Sequence, residues 1–224
     1  ARSRRGDRHA AALPRGGDSL YRSASHSLFL RAYGQGRRAH LRRVRLEEIT
    51  FRTQGVDYDF KGTLTYPKKE GKYPLMIMIS GSGLQNRDEE IMQHRPFAVI
   101  ADYMANNGIA VFRYDDRGFG SENAELFNAT TLDYALDVES AINAVKNHPN
   151  IDADKIGLVG HSEGGLIAPI VASRNSEVDF LILLAGPGVN GMEVLIEQNK
   201  AIYKANKNTE ELAKQLEMLQ SRYI

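Results

Sequence analysis

Four short apolar runs, separated by segments with a helical repeat, constrain the fold of this chain more than any other feature of its sequence. The runs fall at residues 75–79, 109–114, 156–159 and 178–184. Runs of this length without polar alternation are typical of strands buried on both faces of a sheet. Helices are predicted from Pro96 to the Asn107-Gly108 pair and over residues 131–147, with Pro149 just past the second end. Strands that alternate with helices predict an α/β fold, with a mostly parallel sheet flanked by helices.

The two ends of this region have different patterns. Residues 44–66 form two alternating, β-branched-rich stretches broken at Gln54-Gly55, which predicts a hairpin. After residue 190 the pattern is helical to the end of the chain, with one apolar stripe formed by Leu212, Leu216 and Leu219. We therefore expect the core at residues 44–190 and a helical, lid-like segment at residues 191–224.

Residues 1–43 differ in composition from everything that follows. They hold eleven of the nineteen arginines, two aspartates and no lysine, and they show no sustained apolar repeat. We interpret them as an arm that is disordered or foreign to the fold. A targeting segment and a nucleic-acid-binding arm are the alternatives that such a composition leaves open, and we expect no nucleic-acid partner.

Composition excludes several kinds of site. The chain has no cysteine, so it has no disulfide, no thiolate nucleophile and no cysteine-based zinc site. No run approaches the roughly 20 apolar residues of a membrane span, and no membrane partner is expected. No metal or organic cofactor is implied, and the sequence leaves the compartment open.

The stretch GHSEGG, residues 160–165, carries the strongest chemical signal. It fits G-x-S-x-G, in which a serine lies on a sharp turn between a strand and a helix. A predicted strand ends before Gly160 and a predicted helix opens at Glu163, while Gly160 and Gly164 leave room for the turn. The start of the helix directs N–H groups at the position of an oxyanion. Ser162 is therefore predicted to be a nucleophile, and the alternative is a chance match in a chain with 20 glycines.

A second turn, in the stretch ISGSGLQNRDEE, directly follows the first buried strand. Turns at this position supply a backbone N–H to the oxyanion hole of serine hydrolases with this order of elements. The Ser82 amide is the predicted donor and the Leu84 amide is the next candidate, whereas a glycine turn without function is the alternative. The charged run RDEE, residues 87–90, is interpreted as a solvated loop, with binding of a charged substrate group as the alternative.

In order and spacing these motifs resemble the α/β-hydrolase superfamily, in particular its bacterial serine esterase and serine aminopeptidase-like branch. The resemblance covers residues 44–189 and rests on SGSGLQNRDEE, HRPFAVIADYMANNGIAVFRYDDRGFG and GLVGHSEGG. It implies Ser162 as the acyl-accepting nucleophile, with the amides of Ser82 and Glu163 as the oxyanion hole. In RYDDRGFG it indicates a structural turn braced by an Asp115–Arg117 pair.

The resemblance also implies a carboxylate after a seventh strand and a histidine after an eighth. Only about six of these eight strands are predicted, so we expect an incomplete α/β-hydrolase fold and a chain truncated before both residues. All six histidines lie at or before position 161. His161 is expected to point to the face opposite the nucleophile, because side chains alternate along a strand. His148 is expected at the far edge of the sheet.

Two further residues have competing interpretations. His94 follows the glycine turn on the side of the site, which makes it a candidate base, and we assign it with Leu84 to a loop that contacts substrate. Glu193 is a candidate acid just beyond the sixth strand in a variant arrangement, but the interpretation that we favour is a solvated helix start.

The sequence thus predicts a serine hydrolase that cleaves small carboxylic esters through an acyl-enzyme on Ser162. Loss of a triad member leaves about 10³ to 10⁴-fold acceleration over water, so the truncated chain is expected to be nearly inactive. A non-catalytic binding protein of the same fold is one alternative, and an aminopeptidase or thioesterase in the full-length form is the other. An uncovered edge at the sixth strand is expected to favour self-association.

Overall fold

The computed structural model describes residues 43–205 and residue 214. The strands in this part are β1 (Val44–Phe51), β2 (Phe60–Pro67), β3 (Tyr73–Ile79), β4 (Ala110–Tyr114), β5 (Ile151–His161) and β6 (Val178–Leu184). The helices are α1 (Pro96–Asn106), α2 (Thr131–Val145), α3 (Gly164–Ala172) and α4 (Gly191–Ala205), and a short 3₁₀ helix covers Ala124–Asn128. Each of the strands and helices predicted within residues 44–205 is present, with boundaries shifted by a few residues.

The strands form one sheet in the order β1-β2-β4-β3-β5-β6. The pairs β3–β4, β3–β5 and β5–β6 are parallel, whereas β1–β2 and β2–β4 are antiparallel. The predicted α/β fold with a mostly parallel sheet is therefore confirmed. Because the parallel strands run in one direction, the loops that follow β3, β4 and β5 emerge at the same edge of the sheet, where open α/β folds place their ligand sites.

The predicted hairpin at the start of this region is also confirmed. Strands β1 and β2 pair from Val44 with Pro67 to Phe51 with Phe60. Gly55 lies in the connection with a φ of 79°, in the left-handed region that glycine adopts without steric strain. The rings of Phe51 and Phe60 stack with centroids 4.8 Å apart, so the strand ends are held together by aromatic packing beside the turn.

Helices cover both faces of the sheet. The larger apolar cluster joins α2 and α3 to the side chains of Leu75 and Ile77 on β3. The smaller cluster joins α1 to Met76 and Met78, the alternate positions of the same strand. Because successive side chains of a strand point to opposite faces, β3 is buried on both sides, which explains its continuous apolar run.

Helix α2 begins where its sequence signal places it. Thr130 is the N-cap, and its hydroxyl accepts a hydrogen bond from the Asp133 amide while the Asp133 carboxylate accepts one from the Thr130 amide. This reciprocal capping box satisfies donors that the first turn of a helix leaves free. The helix therefore presents a fixed N-terminus near the edge of the sheet that carries the loops.

Strand β6 is an edge of the sheet in the described part of the chain. Leu181 is 36% exposed and Leu183 is 48% exposed, and α4, which follows the strand, has no buried residue. The uncovered sixth strand is thus observed for these residues, whereas self-association stays a prediction. Residues 1–42 of the predicted arm at residues 1–43, and the stripe of Leu212, Leu216 and Leu219, lie outside the described residues. Among those described, no helix combines the length and apolar character of a membrane span.

Candidate active site

Ser162 lies between the end of β5 and the start of α3, at the edge of the sheet where the loops emerge. Its φ is 51°, a left-handed conformation that is uncommon for residues other than glycine. Its amide donates to the Leu184 carbonyl at 3.0 Å, and its carbonyl accepts from the Gly165 amide at 2.9 Å. Backbone strain of this kind persists only where the surroundings over-determine it, and it clusters at functional sites.

Glycines allow the turn at Ser162 to close. A Cβ atom on Gly160 would lie 2.0 Å from the Gly164 carbonyl oxygen, and one on Gly164 would lie 2.3 Å from the Ile79 carbonyl oxygen. A Cβ on Gly165 would lie 2.5 Å from the Cα of Gly186. The expectation that Gly160 and Gly164 leave room for the turn is confirmed, because any side chain there would overlap backbone atoms.

The loop that follows β3, residues 80–85, is called the glycine loop below. Gly81 lies directly beside the serine, since a Cβ on it would be 3.1 Å from the Cβ of Ser162. Within residues 43–205, the amides of Ser82 and Glu163 donate no hydrogen bond. The structure thus brings the two predicted oxyanion donors to the surroundings of Ser162. Leu84, in the same loop, has 46% of its surface exposed. The roles of these residues stay predictions.

Asp116, in the loop after β4, holds both ends of the glycine loop. One carboxylate oxygen accepts a hydrogen bond from the Ser80 hydroxyl at 2.6 Å, and the other accepts one from the Gln85 amide at 2.8 Å. Burial raises the pKa of Asp116 to about 7, the two hydrogen bonds oppose this rise, and the negative charges of Asp115 and Asp137 add to it. No local pattern in the sequence marks Asp116, because its partners lie 31 and 36 positions away.

We expect the titration of Asp116 to make the chain less stable as the pH rises from about 4 to about 7. Its folded-state pKa of about 7 lies above the reference value of 3.8, so the folded chain keeps a proton that the unfolded chain has released. Stability is therefore lost as the pH rises through this window, by about 4 kcal/mol at most, because one pKa unit corresponds to about 1.4 kcal/mol. Urea unfolding between pH 4 and pH 8, with Asp116→Asn beside the unaltered chain, measures the effect.

The control for this experiment is Asp154→Asn, at an exposed position on β5. The Asp116→Asn variant is expected to flatten the dependence of the unfolding free energy on pH, whereas Asp154→Asn is expected to leave it unchanged. An Asp116→Asn variant with the slope of the unaltered chain would show that Asp116 titrates normally.

Glu89 is the second carboxylate that holds the glycine loop. It is 2% exposed, and its Oε1 atom accepts a hydrogen bond from the Gly81 amide at 2.8 Å. The same atom lies 2.7 Å from the Nδ1 atom of His161, the last residue of β5. His161, which was expected only to point away from the nucleophile, therefore connects β5 to the glycine loop through Glu89.

The interpretation of residues 87–90 as a solvated loop is wrong. Glu89 is buried, and each of the other residues has an ion-pair partner, namely Asp115 for Arg87 at 2.7 Å, Arg113 for Asp88, and Arg95 for Glu90 at 2.8 Å. The guanidinium of Arg87 makes a bidentate contact with Asp115, with bonds from Nε at 3.1 Å and from Nη2 at 2.7 Å. These partners satisfy the charges internally, so residues 87–89 brace the loops, whereas Glu90 at the end of the run is exposed.

The predicted Asp115–Arg117 pair is also wrong, although both residues do brace the loops. Asp115 pairs with Arg87, and Arg117 pairs with Asp137 on α2 through bonds of 2.8 Å and 2.9 Å. The Asp137 carboxylate also accepts a bond from the Thr53 hydroxyl at 2.7 Å. Asp115 and Arg117 do not pair with each other, because the fold brings a counterion from another part of the chain to each of them.

The three histidines of the described residues form no hydrogen bond with Ser162. His94 is exposed and its side chain has no hydrogen bond in this part of the chain. His148 lies 3.1 Å from the Glu47 carboxylate, near the amino-terminal end of β1. His161 contacts Glu89, as described above. The structure therefore does not place His94 as a bonded base, and its assignment to a substrate loop stays a prediction.

The candidate acid Glu193 belongs to a helix start. Its amide donates to the Asn190 side chain at 3.0 Å, and its side chain is exposed on the first turn of α4. This favours the simpler interpretation of Glu193 over a catalytic one. Residues 43–205 contain no group of three or more histidine and carboxylate side chains that is arranged to hold a metal ion.

A small cavity lies between the glycine loop and the start of α3. The residues that line it include Ser80, Gly81, Asp116 and Glu163. The Glu163 carboxylate accepts a hydrogen bond from the Thr131 hydroxyl at 2.9 Å, so the side chain is tied to the start of α2. Beside this cavity, the Ser162 hydroxyl precedes the start of α3, and the Ser82 and Glu163 amides are unengaged within residues 43–205. These groups, with the positive end of the helix dipole, suit attack on a carbonyl group.

Known proteins resemble this chain over much of its length. The serine aminopeptidase, S33 family matches residues 93–222, more than half of the chain. The chain is 33% identical over 167 residues to the esterase EstD of Thermotoga maritima, which covers 73% of this chain and 39% of EstD. It is 27% identical over 128 residues to acyl-coenzyme A thioesterase 1 of Mus musculus, which covers 56% of this chain and 27% of the thioesterase.

The fold is shared with solved structures. The crystal structure of the α/β hydrolase GrgF from Penicillium sp. sh18 matches with a TM-score of 0.53 at 20% identity, covering 73% of this chain and 55% of that one. The chain thus spans well under two thirds of the length of each of these three proteins.

Proposed function

The chain belongs to the serine aminopeptidase, S33 family of α/β-hydrolases, and from that premise we propose that its Ser162 is the nucleophile of a hydrolase that cleaves small carboxylic esters. The observation that carries this proposal is the position of Ser162. It lies at a strained turn between a strand and a helix, beside a glycine loop with an unengaged amide.

In the proposed reaction the Oγ atom of Ser162 attacks the ester carbonyl carbon. The carbonyl oxygen gains negative charge and accepts hydrogen bonds from the Ser82 and Glu163 amides, near the positive end of the α3 dipole. Collapse of the intermediate breaks the bond to the alcohol oxygen. The alcohol departs with the proton that the serine hydroxyl has lost, and an acyl group remains on Ser162. Water then attacks the acyl carbon and releases the carboxylic acid, which restores the serine hydroxyl.

Proton transfer is the step that sets the expected rate. The serine hydroxyl is a weak nucleophile without a base, and no side chain of residues 43–205 is hydrogen-bonded to it as one. General acid–base catalysis contributes about 10²- to 10⁴-fold. We therefore propose that the 224-residue chain turns over esters slowly, and that a base added in solution raises the rate.

Covalent labelling of Ser162 tests the proposal. The chain is incubated with an alkyl fluorophosphonate and increasing imidazole, so that the serine oxygen attacks phosphorus, fluoride leaves and imidazole takes the proton. We expect peptide mass spectrometry to find the phosphonyl group on Ser162, at a rate that rises with imidazole. Ser162→Ala is expected to abolish this labelling, and Ser173→Ala, at the exposed end of α3, is expected to leave it unchanged. Equal labelling of the unaltered chain and Ser162→Ala would refute the proposal.

Thioesters form the second candidate substrate class, because one relative of this chain is named as an acyl-coenzyme A thioesterase. The more similar relative is named as an esterase, which favours oxygen esters. The test compares release of 4-nitrophenol from 4-nitrophenyl acetate, of thiol from an acetyl thioester and of amine from an acetyl anilide. These rates rank oxygen esters, thioesters and amides as substrates. The Ser162→Ala variant in the same imidazole buffer corrects for hydrolysis by the buffer.

A further inference from the structure

Glu89 is a buried carboxylate for which the proposed reaction has no use. Its side chain is 3% exposed, and its partners within residues 43–205 are one backbone amide, which donates to it, and one imidazole nitrogen at 2.7 Å, rather than an arginine or lysine. Burying a carboxylate is costly unless it is well paired. The neighbouring acidic residues all pair with arginines, so Glu89 stands apart from the ion pairs that brace the loops.

The backbone also fixes Glu89 in an unfavourable conformation. Its φ is 50°, and a left-handed conformation costs about 1–2 kcal/mol for a residue other than glycine. The Asn86 side chain accepts hydrogen bonds from the amides on either side, those of Asp88 at 3.0 Å and Glu90 at 3.3 Å. The Glu89 amide itself donates to the Asn86 carbonyl at 2.9 Å. The three consecutive amides of residues 88–90 are thus bonded to Asn86, and the carboxylate of the middle residue is held pointing inward.

The two partners of Glu89 each precede a residue of the proposed reaction. Gly81 precedes Ser82, whose amide is a proposed oxyanion donor, and His161 precedes Ser162. Adjacent Cα atoms are about 3.8 Å apart across a planar peptide bond, so fixing one residue closely restricts the next. A single oxygen atom of Glu89 therefore connects the element that carries the donor to the element that carries the hydroxyl.

We infer that Glu89 is a positioning residue that sets the distance between the Ser82 amide and the Ser162 hydroxyl through its bonds to Gly81 and His161. The inference rests on the proposed function of both groups. An oxyanion-hole donor must lie about 2.7–3.1 Å from the developing charge, and removal of one donor costs about 10²- to 10³-fold in rate. A donor that is displaced rather than removed is expected to cost about 10- to 100-fold.

The experiment measures phosphonylation of Ser162 by the fluorophosphonate in imidazole, as a maximal rate constant and a half-saturating probe concentration. Glu89→Ala and His161→Ala are each expected to lower the maximal rate constant about 10- to 100-fold and to leave the half-saturating concentration unchanged. The double variant is expected to react no more slowly than either single variant, because both substitutions break the same connection between the glycine loop and β5. Glu90→Ala, which removes the neighbouring carboxylate and its pair with Arg95, is the matched control and is expected to react within about twofold of the unaltered chain.

A conservative variant separates positioning from general structural damage. The side-chain nitrogen of asparagine occupies nearly the position of the histidine Nδ1 atom, so His161→Asn keeps a donor for Glu89, whereas His161→Ala does not. We expect His161→Asn to restore most of the rate. His161 is only partly buried, with 34% of its side chain exposed, so its variants remain informative even if Glu89→Ala does not fold.

The outcomes distinguish this inference from the proposed function. If the unaltered chain reacts no faster than Ser162→Ala, the proposed function fails and this inference fails with it. If the unaltered chain is labelled on Ser162, but His161→Ala reacts at the rate of His161→Asn or of the unaltered chain, the proposed function stands and the positioning role of Glu89 is overturned.

Discussion

Replacing Gly160 with alanine is expected to destabilise the chain by about 4 kcal/mol or more, the upper end of the range for single substitutions. The new Cβ would lie 2.0 Å from the Gly164 carbonyl oxygen and 2.7 Å from the Gly165 amide nitrogen. Both are backbone atoms of the turn around Ser162, so no side-chain rotation can relieve the overlap. The turn would have to open, which breaks the packing of α3 on β5.

The measurement is the free energy of unfolding in urea, with phosphonylation of Ser162 as a second readout. Gly188→Ala is the matched control, because no atom lies within 4 Å of a Cβ at that position, and it is expected to stay within about 0.5 kcal/mol of the unaltered chain. The prediction would also be met if Gly160→Ala could not be recovered as folded protein while Gly188→Ala folded like the unaltered chain. A folded Gly160→Ala variant with unchanged stability and labelling would show that the turn is not closed as described.

The second large effect is expected from the buried pair of Arg117 and Asp137. The side chain of Asp137 is 2% exposed and that of Arg117 is 9% exposed, and Thr53 donates a further bond to the carboxylate. Removing one partner leaves an uncompensated buried charge, which costs about 3–5 kcal/mol. Arg117→Met is therefore expected to lower the free energy of unfolding by about that amount.

A double substitution tests whether the unpaired buried charge causes this loss of stability. Replacing both partners with apolar residues of similar size, Arg117→Met with Asp137→Leu, removes the buried charges together and is expected to recover much of the loss. Lys155→Ala, which breaks an exposed pair with Asp152, is the control and is expected to change little. If Arg117→Met and the double variant are equally unstable, packing around the guanidinium rather than the unpaired charge accounts for the effect.

Local patterns were sufficient for much of the fold. The continuous apolar run at β3 and the capping residues of α2 depend on neighbours a few positions away, so their periods are visible in the sequence. Strand β5 extends beyond its local pattern, because it runs from Ile151 to His161 although only residues 156–159 are continuously apolar. Residues 152–155, three of which are charged, were missed because Ile151 pairs with Tyr73 at the start of β3, and the register then shifts before Ile156 pairs with Leu75.

In the candidate active site, too, some features could be predicted from local sequence and others could not. The turn at Ser162 was predictable, because its glycines make room for backbone atoms a few residues away or on the adjacent strand. The hydrogen bonds that hold the glycine loop and β5 beside that turn could not be predicted. Glu89 and His161 are 72 positions apart, and Asp116 and Ser80 are 36 positions apart. No periodicity connects such residues, so RDEE resembled any charged loop.

The amino-acid sequence by itself thus determined the alternation of strands and helices and the turn that carries Ser162, because hydrophobic period and glycine content act over short stretches of chain. Only the tertiary structure decided which charges were buried together, which two carboxylates hold the glycine loop, and why Asp115 and Arg117 pair with other residues. The physical reason is that a buried charge pairs with a counterion or amide that the packed elements bring within about 3 Å. The identity of that partner depends on the fold and not on the residues next to the charge in the sequence.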